Sequence, residues 1–152
     1  MILGQRNDEN YKAFVYQSNL PEEIYHFYDQ ANIRAIYAIR TDLNPFYLRG
    51  DFDGDKKHDY ALSIVDRKTN KKGILMCHTG TKTHYIIGAG KSLSDGKGGD
   101  DYYWMEAWKV YVNKDVGIGA GETTKITLKG EGILATKLES ASGIIYWTGK
   151  RN

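Results

Sequence analysis

Four aspartates in the stretch "RGDFDGDKKHDYAL" carry the clearest chemistry in the chain: Asp51, Asp53, Asp55 and Asp59, at spacings 0, 2, 4 and 8. Alternate residues of a tight loop can turn three carboxylates inward. A backbone carbonyl at position 7 and a carboxylate at position 9 then close an oxygen cage for a hard cation such as Ca2+. Here those positions are Asp51, Asp53, Asp55, Lys57 (through its carbonyl) and Asp59. Position 12, where an EF-hand places a bidentate glutamate, is Leu62, so the loop is not an EF-hand. The competing reading is a solvated acidic turn, because Asp-Gly is common in turns. Four carboxylates so close repel one another, which favours a bound cation. Arg49, Lys56, Lys57 and His58 dilute the negative field, which predicts an affinity of about 10⁻⁴–10⁻³ M, the range of extracellular calcium modules.

Arg49-Gly50-Asp51 is also the tripeptide that adhesive proteins offer to integrins. Asp51 cannot serve both uses, since a carboxylate turned onto a cation is withdrawn from a partner. Elsewhere "GAGKS" at 88–92 echoes a phosphate loop, but the required earlier glycine is Tyr85, so the pattern fails. Asp95, Asp100 and Asp101 could form a second, weak cation site in the glycine-rich run 88–101. Cys77 and His78 are neighbours on a predicted strand and therefore point to opposite faces; Cys77 reads as a small buried hydrophobe. His26, His58 and His84 share no metal-ligand spacing, and neither HExxH nor GxSxG occurs. A catalytic pair such as Glu106 with His84 would need distant residues to meet. Tyr102, Tyr103, Trp104, Met105 and Trp108 form an aromatic segment that reads either as core or as a recognition surface.

The elements that must hold these residues follow from pattern. "YKAFVY" (11–16) reads as a short strand. "SNLPEEIYHFYDQANI" reads as the main helix, capped by Ser18 or Asn19, with Pro21, Glu22 and Glu23 in its first turn. Leu20, Ile24, Phe27 and Ala31 form its apolar stripe. Strands are predicted at 34–40, 46–48, 60–65, 74–78 and 83–87, with a long mobile loop over 88–101. Past the aromatic segment, "TTKITLKG", "GILATKL" and "GIIYW" read as three more strands. The expected fold is α+β: a mostly antiparallel sheet with one main N-terminal helix packed on it, forming a single domain over 1–152.

Composition narrows the function classes. The formal net charge of +2 arises from 21 basic and 19 acidic residues, well mixed, with no basic block to mark a nucleic-acid partner. One cysteine excludes an internal disulfide framework and a cysteine-rich zinc site. No apolar run reaches the roughly 18 residues of a membrane span. "MILGQRNDENY" has neither the basic n-region nor the apolar h-region of a signal peptide.

The segment "RGDFDGDKKHDYAL" resembles the FG-GAP, or VCBS, calcium-loop repeat, roughly Gly-Asp-Phe-Asp/Asn-Gly-Asp-x-x-x-Asp followed by a hydrophobic strand. The resemblance covers about 14 residues and implies that Asp51, Asp53, Asp55 and Asp59 supply the acidic ligands. Lys56 stands where the family often has glycine. The family usually repeats this unit around a propeller, and one copy implies the loop alone. The whole chain is also similar to small bacterial exported proteins with one such loop, which implies a periplasmic or secreted setting. The function expected is a non-enzymatic, calcium-stabilised domain that binds a protein partner, including a secreted enzyme that it inhibits or gives immunity against. The alternative is a hydrolase with its site near the glycine-rich loop 88–101.

Overall fold

The computed structural model describes residues 8–93, 96–116 and 126–149. Its organising strand is β4 (Lys72–His78), in which 73–78 are all buried. The run "ILMC" has no polar face, so it must be covered on both sides. Ile74 and Met76 enter one apolar cluster, and Leu75 and Cys77 enter another. That alternation divides the molecule into layers.

The sheet around β4 is antiparallel. The remaining strands are β1 (Tyr37–Ile39), β2 (Tyr47–Gly50), β3 (Asp59–Asp66) and β5 (Thr83–Gly88). β5 and β3 flank β4, and β1 and β2 share the far edge of β3. β1 pairs with the second half of β3 (Ile39 opposite Ile64), and β2 with the first half (Gly50 opposite Asp59). Ser63 spans the break between them. Its hydroxyl lies 3.1 Å from the Arg40 carbonyl and 2.9 Å from that of Phe46.

Three helices cover one face: α1 (Asp8–Ser18), α2 (Glu22–Tyr28) and α3 (Ala31–Arg34). Ile24, Tyr28 and Ile33 bury against Tyr60, Leu62, Ile64, Leu75 and Cys77. The Tyr28 hydroxyl donates to the Tyr37 carbonyl at 3.0 Å, so this large side chain is buried without an orphaned oxygen. A second antiparallel sheet covers the other face, with β6 (Ala107–Tyr111), β9 (Gly132–Lys137) and β10 (Ala141–Ile145) in the order β10-β9-β6. Trp108, Ile133 and Ala135 pack there against Leu48, Ala61, Ile74, Met76 and Ile87. A two-stranded pair, β7 (Asp115–Val116) and β8 (Ile126–Thr127), stands apart. The fold is therefore α+β, with antiparallel sheets.

Several elements differ from their sequence patterns. Residues 11–16, expected as a strand, lie within α1. Ser18 and Asn19, expected to open the main helix, close α1 instead: their side chains donate to the carbonyls of Phe14 and Val15 at 2.8 and 2.7 Å. Pro21 explains the break. It disfavours the α conformation in the preceding residue and fits at a helix start, and it is the N-cap of α2 without a side-chain cap bond. The aromatic segment forms a 3-10 turn at Tyr102–Trp104 and then β6. The glycine-rich run is held at both ends: Gly88 and Lys91 form a bridge, and the Gly90 N–H donates to the Asp100 carbonyl at 2.7 Å. Asp95 and residues 123–125 of the expected strand "TTKITLKG" lie outside the described residues.

Arg40, only 4% exposed, joins the layers. Its guanidinium donates to Asp42 Oδ1 at 2.6 Å and to the carbonyls of Tyr102 and Met105 at 3.1 and 2.8 Å. The planar fork reaches both carbonyls at once, and the Tyr102 carbonyl also accepts the Met105 N–H at 3.1 Å. Arg40→Ala is expected to cost about 3 kcal/mol in urea unfolding, as the charged hydrogen bonds to Asp42 and to two carbonyls of the facing layer are lost together. A loss below about 1 kcal/mol would show that water replaces the guanidinium.

A candidate cation site in the β2–β3 loop

The aspartate loop is the connection between β2 and β3, closed at its base by the Gly50–Asp59 pair. Its shape comes from its own carboxylates accepting backbone N–H groups. Asp51 takes Gly54 N–H through Oδ1 at 2.8 Å and Lys56 N–H through Oδ2 at 2.9 Å. Asp53 Oδ1 accepts from Asp55 at 3.2 Å, and Asp55 Oδ1 from Lys57 at 2.8 Å. Gly54 has φ +80°, and Lys56 has φ +68°, both in the left-handed region that favours glycine.

Asp59 begins β3 with no solvent exposure. Its Oδ2 accepts from Phe52 and Asp53 N–H at 3.0 and 3.3 Å, and its Oδ1 accepts from Thr79 N–H at 3.1 Å. One carboxylate thus ties the start of the loop to the β4–β5 turn. Thr79 adds a second tie, its hydroxyl donating to the His58 carbonyl at 2.6 Å.

Two outside segments clamp the loop. Glu131 exchanges hydrogen bonds with Asp51, its N–H donating to the Asp51 carbonyl at 2.7 Å and its Oε1 accepting from Asp51 N–H at 2.8 Å. Beside it, a Cβ on Gly130 would lie 2.5 Å from the Asp51 carbonyl oxygen and 2.6 Å from Gly54 N, so only glycine permits this approach. On the other side, a Cβ on Gly80 would collide with the carboxylate of Asp55.

Oxygen atoms of Asp51, Asp53, Asp55 and Asp59 all lie within 4.8 Å of one another. An all-carboxylate donor set on a short loop suits calcium, and each oxygen that accepts one N–H keeps a lone pair for a cation. The electrostatics record the crowding. Burial, and next the charge of Asp53, push the Asp59 carboxyl up to about 7. Asp55, at the surface, is held low chiefly by the Lys57 N–H.

All four aspartates of the sequence pattern come together here. Lys57 is exposed, and its N–H serves Asp55. Asp51 is engaged within the loop through both oxygens, while the Arg49 side chain is exposed, so the adhesive tripeptide is not presented as a unit. The residue missed by sequence reasoning is His78. It is 2% exposed and sits opposite the loop, with Nδ1 3.7 Å from Asp53 Oδ2 and the Tyr85 hydroxyl 3.2 Å from Nε2. The Tyr85 and Trp147 rings enclose its imidazole edge-on, at centroid distances of 5.2 and 5.0 Å. Burial lowers its pKa from the ordinary 6.5, against the opposing pull of Asp53, Asp55 and Asp51. Strand alternation placed it opposite Cys77, but the register that brings it to Asp53 is a tertiary fact.

Other candidates separate. Glu106 Oε1 accepts from Leu138 N–H at 3.2 Å, whereas His84 packs edge-on to Phe27. Asp100 pairs with Lys71, and Asp101 Oδ1 accepts from Lys72 and Tyr103 N–H at 3.0 and 3.1 Å. Cys77 lies buried on the helix side, where burial pushes its thiol up. Tyr102, Met105 and Trp108 are core, and Tyr103 is 65% exposed. A cleft of about 730 Å³ opens beside the loop, lined by Asp53, Asp55, His78, Tyr85, Lys129 and Trp147 among others.

No protein-family model, curated protein or solved structure matches this chain.

The two clamping glycines make separable predictions. Gly130→Ala drives a methyl into backbone and is expected to cost about 1–3 kcal/mol of stability. Gly80→Ala meets only the movable end of Asp55, so unfolding changes by less than about 1 kcal/mol while cation binding weakens. Urea unfolding and calcium calorimetry on both variants check this; equal destabilisation by the two would contradict it.

Proposed function

We propose that this chain is a non-enzymatic, calcium-binding domain in which calcium is structural, tying the exit of β2 to the start of β3. The observation that carries the reading is the convergence of four carboxylates within 4.8 Å, one of them fully buried. Backbone N–H groups satisfy their hydrogen bonding but leave most of their charge uncompensated. A divalent cation would neutralise it. Weak, oxygen-only calcium sites are useful where calcium is millimolar, which supports a periplasmic or secreted setting. The partner is proposed to be a protein, including a secreted enzyme that this domain inhibits or confers immunity against. Exposed Tyr103, beside half-buried Trp104, is the remnant of the aromatic segment that supports such a contact. The hydrolase alternative draws less support, because Asp100 and Asp101 are engaged with Lys71, Lys72 and Tyr103.

Calcium added to chelator-treated protein is expected to bind one-to-one with Kd about 10⁻⁴–10⁻³ M. At calcium a hundredfold above Kd the gain in stability is about 2.7 kcal/mol. Asp51→Ala and Asp55→Ala are expected to abolish both effects; a persisting thermal shift would move the site elsewhere, and no heat at millimolar calcium would defeat the reading.

The pH dependence has a defined sign. A carboxyl raised to about 7 holds its proton more tightly folded than unfolded. Without calcium, Asp59 therefore favours the fold at low pH, and that contribution is lost as pH climbs from about 4 through 7. Calcium competes with this proton, so the difference in stability between calcium-loaded and chelated protein is expected to grow from pH 5 to 8. Thermal unfolding in paired buffers checks it, and a constant difference would contradict it.

A further inference from the structure

The loop shares one edge with a group that calcium does not need. Asp53 and Asp59 are 9% and 0% exposed, His78 is 2% exposed, and a ligating atom from each lies within 4.8 Å of the others. His78 arrives from β4, across the sheet, and is independent of the loop's own turns. Its imidazole is set as a metal-binding histidine is set. Nε2 meets the Tyr85 hydroxyl at 3.2 Å, and the rings of Tyr85 and Trp147 fix its plane. In the tautomer whose Nε2–H donates to the Tyr85 hydroxyl, the other nitrogen keeps a lone pair to give. That nitrogen, Nδ1, faces Asp53 Oδ2 at 3.7 Å, beyond hydrogen-bond reach. Two tetrahedral ligands at about 2.0–2.2 Å from one first-row ion stand about 3.3–3.6 Å apart, so this pair would close on an ion by only a few tenths of an ångström.

We propose that Asp53, Asp59 and His78 form a buried seat for a first-row transition ion, Zn2+ or its Co2+ analogue, distinct from the calcium position but sharing two aspartates with it. Imidazole is a poor ligand for calcium and a good one for these ions, so His78 selects the metal. Asp53 and His78 both line the 730 Å³ cleft, which provides a way in. Because Asp53 and Asp59 cannot serve both ions fully, the two metals exclude one another. The seat does not require the calcium reading to hold: Asp51 and Asp55 belong to calcium alone, and His78 to the transition ion alone.

The test is titration of metal-free full chain with Co2+, followed by its visible absorption bands, and with Zn2+ by calorimetry. One-to-one binding is expected, weakened by saturating calcium. His78→Gln is expected to weaken Co2+ and Zn2+ by more than about tenfold and to leave calcium unchanged. Asp51→Asn is expected to do the reverse. Tyr85→Phe, which keeps the ring and loses only the hydroxyl, is expected to weaken Co2+ by about tenfold, and serves should His78→Gln fail to fold. Absence of Co2+ bands would overturn the proposal. So would Zn2+ binding that survives both the His78 and Tyr85 substitutions, which would place the ion on exposed histidines such as His26 or His58. Loss of calcium binding alone would defeat the calcium reading and leave this one standing.

Discussion

A carboxylate with no solvent exposure must be compensated, and Asp59 is compensated by what surrounds it. Three backbone N–H groups, from Phe52, Asp53 and Thr79, converge on its two oxygens. Those bonds fix where the loop begins, how β3 is entered, and where the β4–β5 turn lies. They answer the hydrogen-bonding demand but not the charge: burial first, and the neighbouring Asp53 next, push the Asp59 carboxyl up to about 7. The proposed cation among the aspartates would remove that conflict.

The layered architecture explains why the loop can sit so tightly. One face of β4 belongs to the helices and the other to the second sheet, through Cys77 and Leu75 on one side and Ile74 and Met76 on the other. The same alternation aims His78 at the aspartates. Gly130 and Glu131, just before β9, press onto the loop from the second sheet's side, where the bare Cα of Gly130 lets backbone meet backbone. Arg40 ties the first sheet to the carbonyls preceding β6. The loop is thereby tied to the packing of the two sheets, as the proposed structural cation would require.

Much of this was legible in the sequence because it depends on local pattern. The 0, 2, 4, 8 spacing identified the four aspartates, and alternation along "ILMCH" separated Cys77 from His78. Strand positions in the first sheet followed from apolar runs between turn residues. The helical segment was harder. "YKAFVY" alternates like a strand yet lies in α1, since its Tyr16 packs against the helix-side core rather than in a ladder. Ser18 and Asn19 are good cap residues by type, and only the structure shows that they serve the helix behind them. His78, Gly80, Gly130 and Glu131 were invisible as site residues because their roles arise from register and close approach. No one-dimensional spacing encodes these.

The most direct test is a crystal structure grown with millimolar calcium, using anomalous scattering to locate the ion. One peak is expected among Asp51, Asp53, Asp55 and Asp59, with oxygens at about 2.3–2.6 Å, and the β2–β3 loop held by the same hydrogen bonds. A well-ordered loop with no peak between those carboxylates, or a calcium bound elsewhere on the chain, would contradict it.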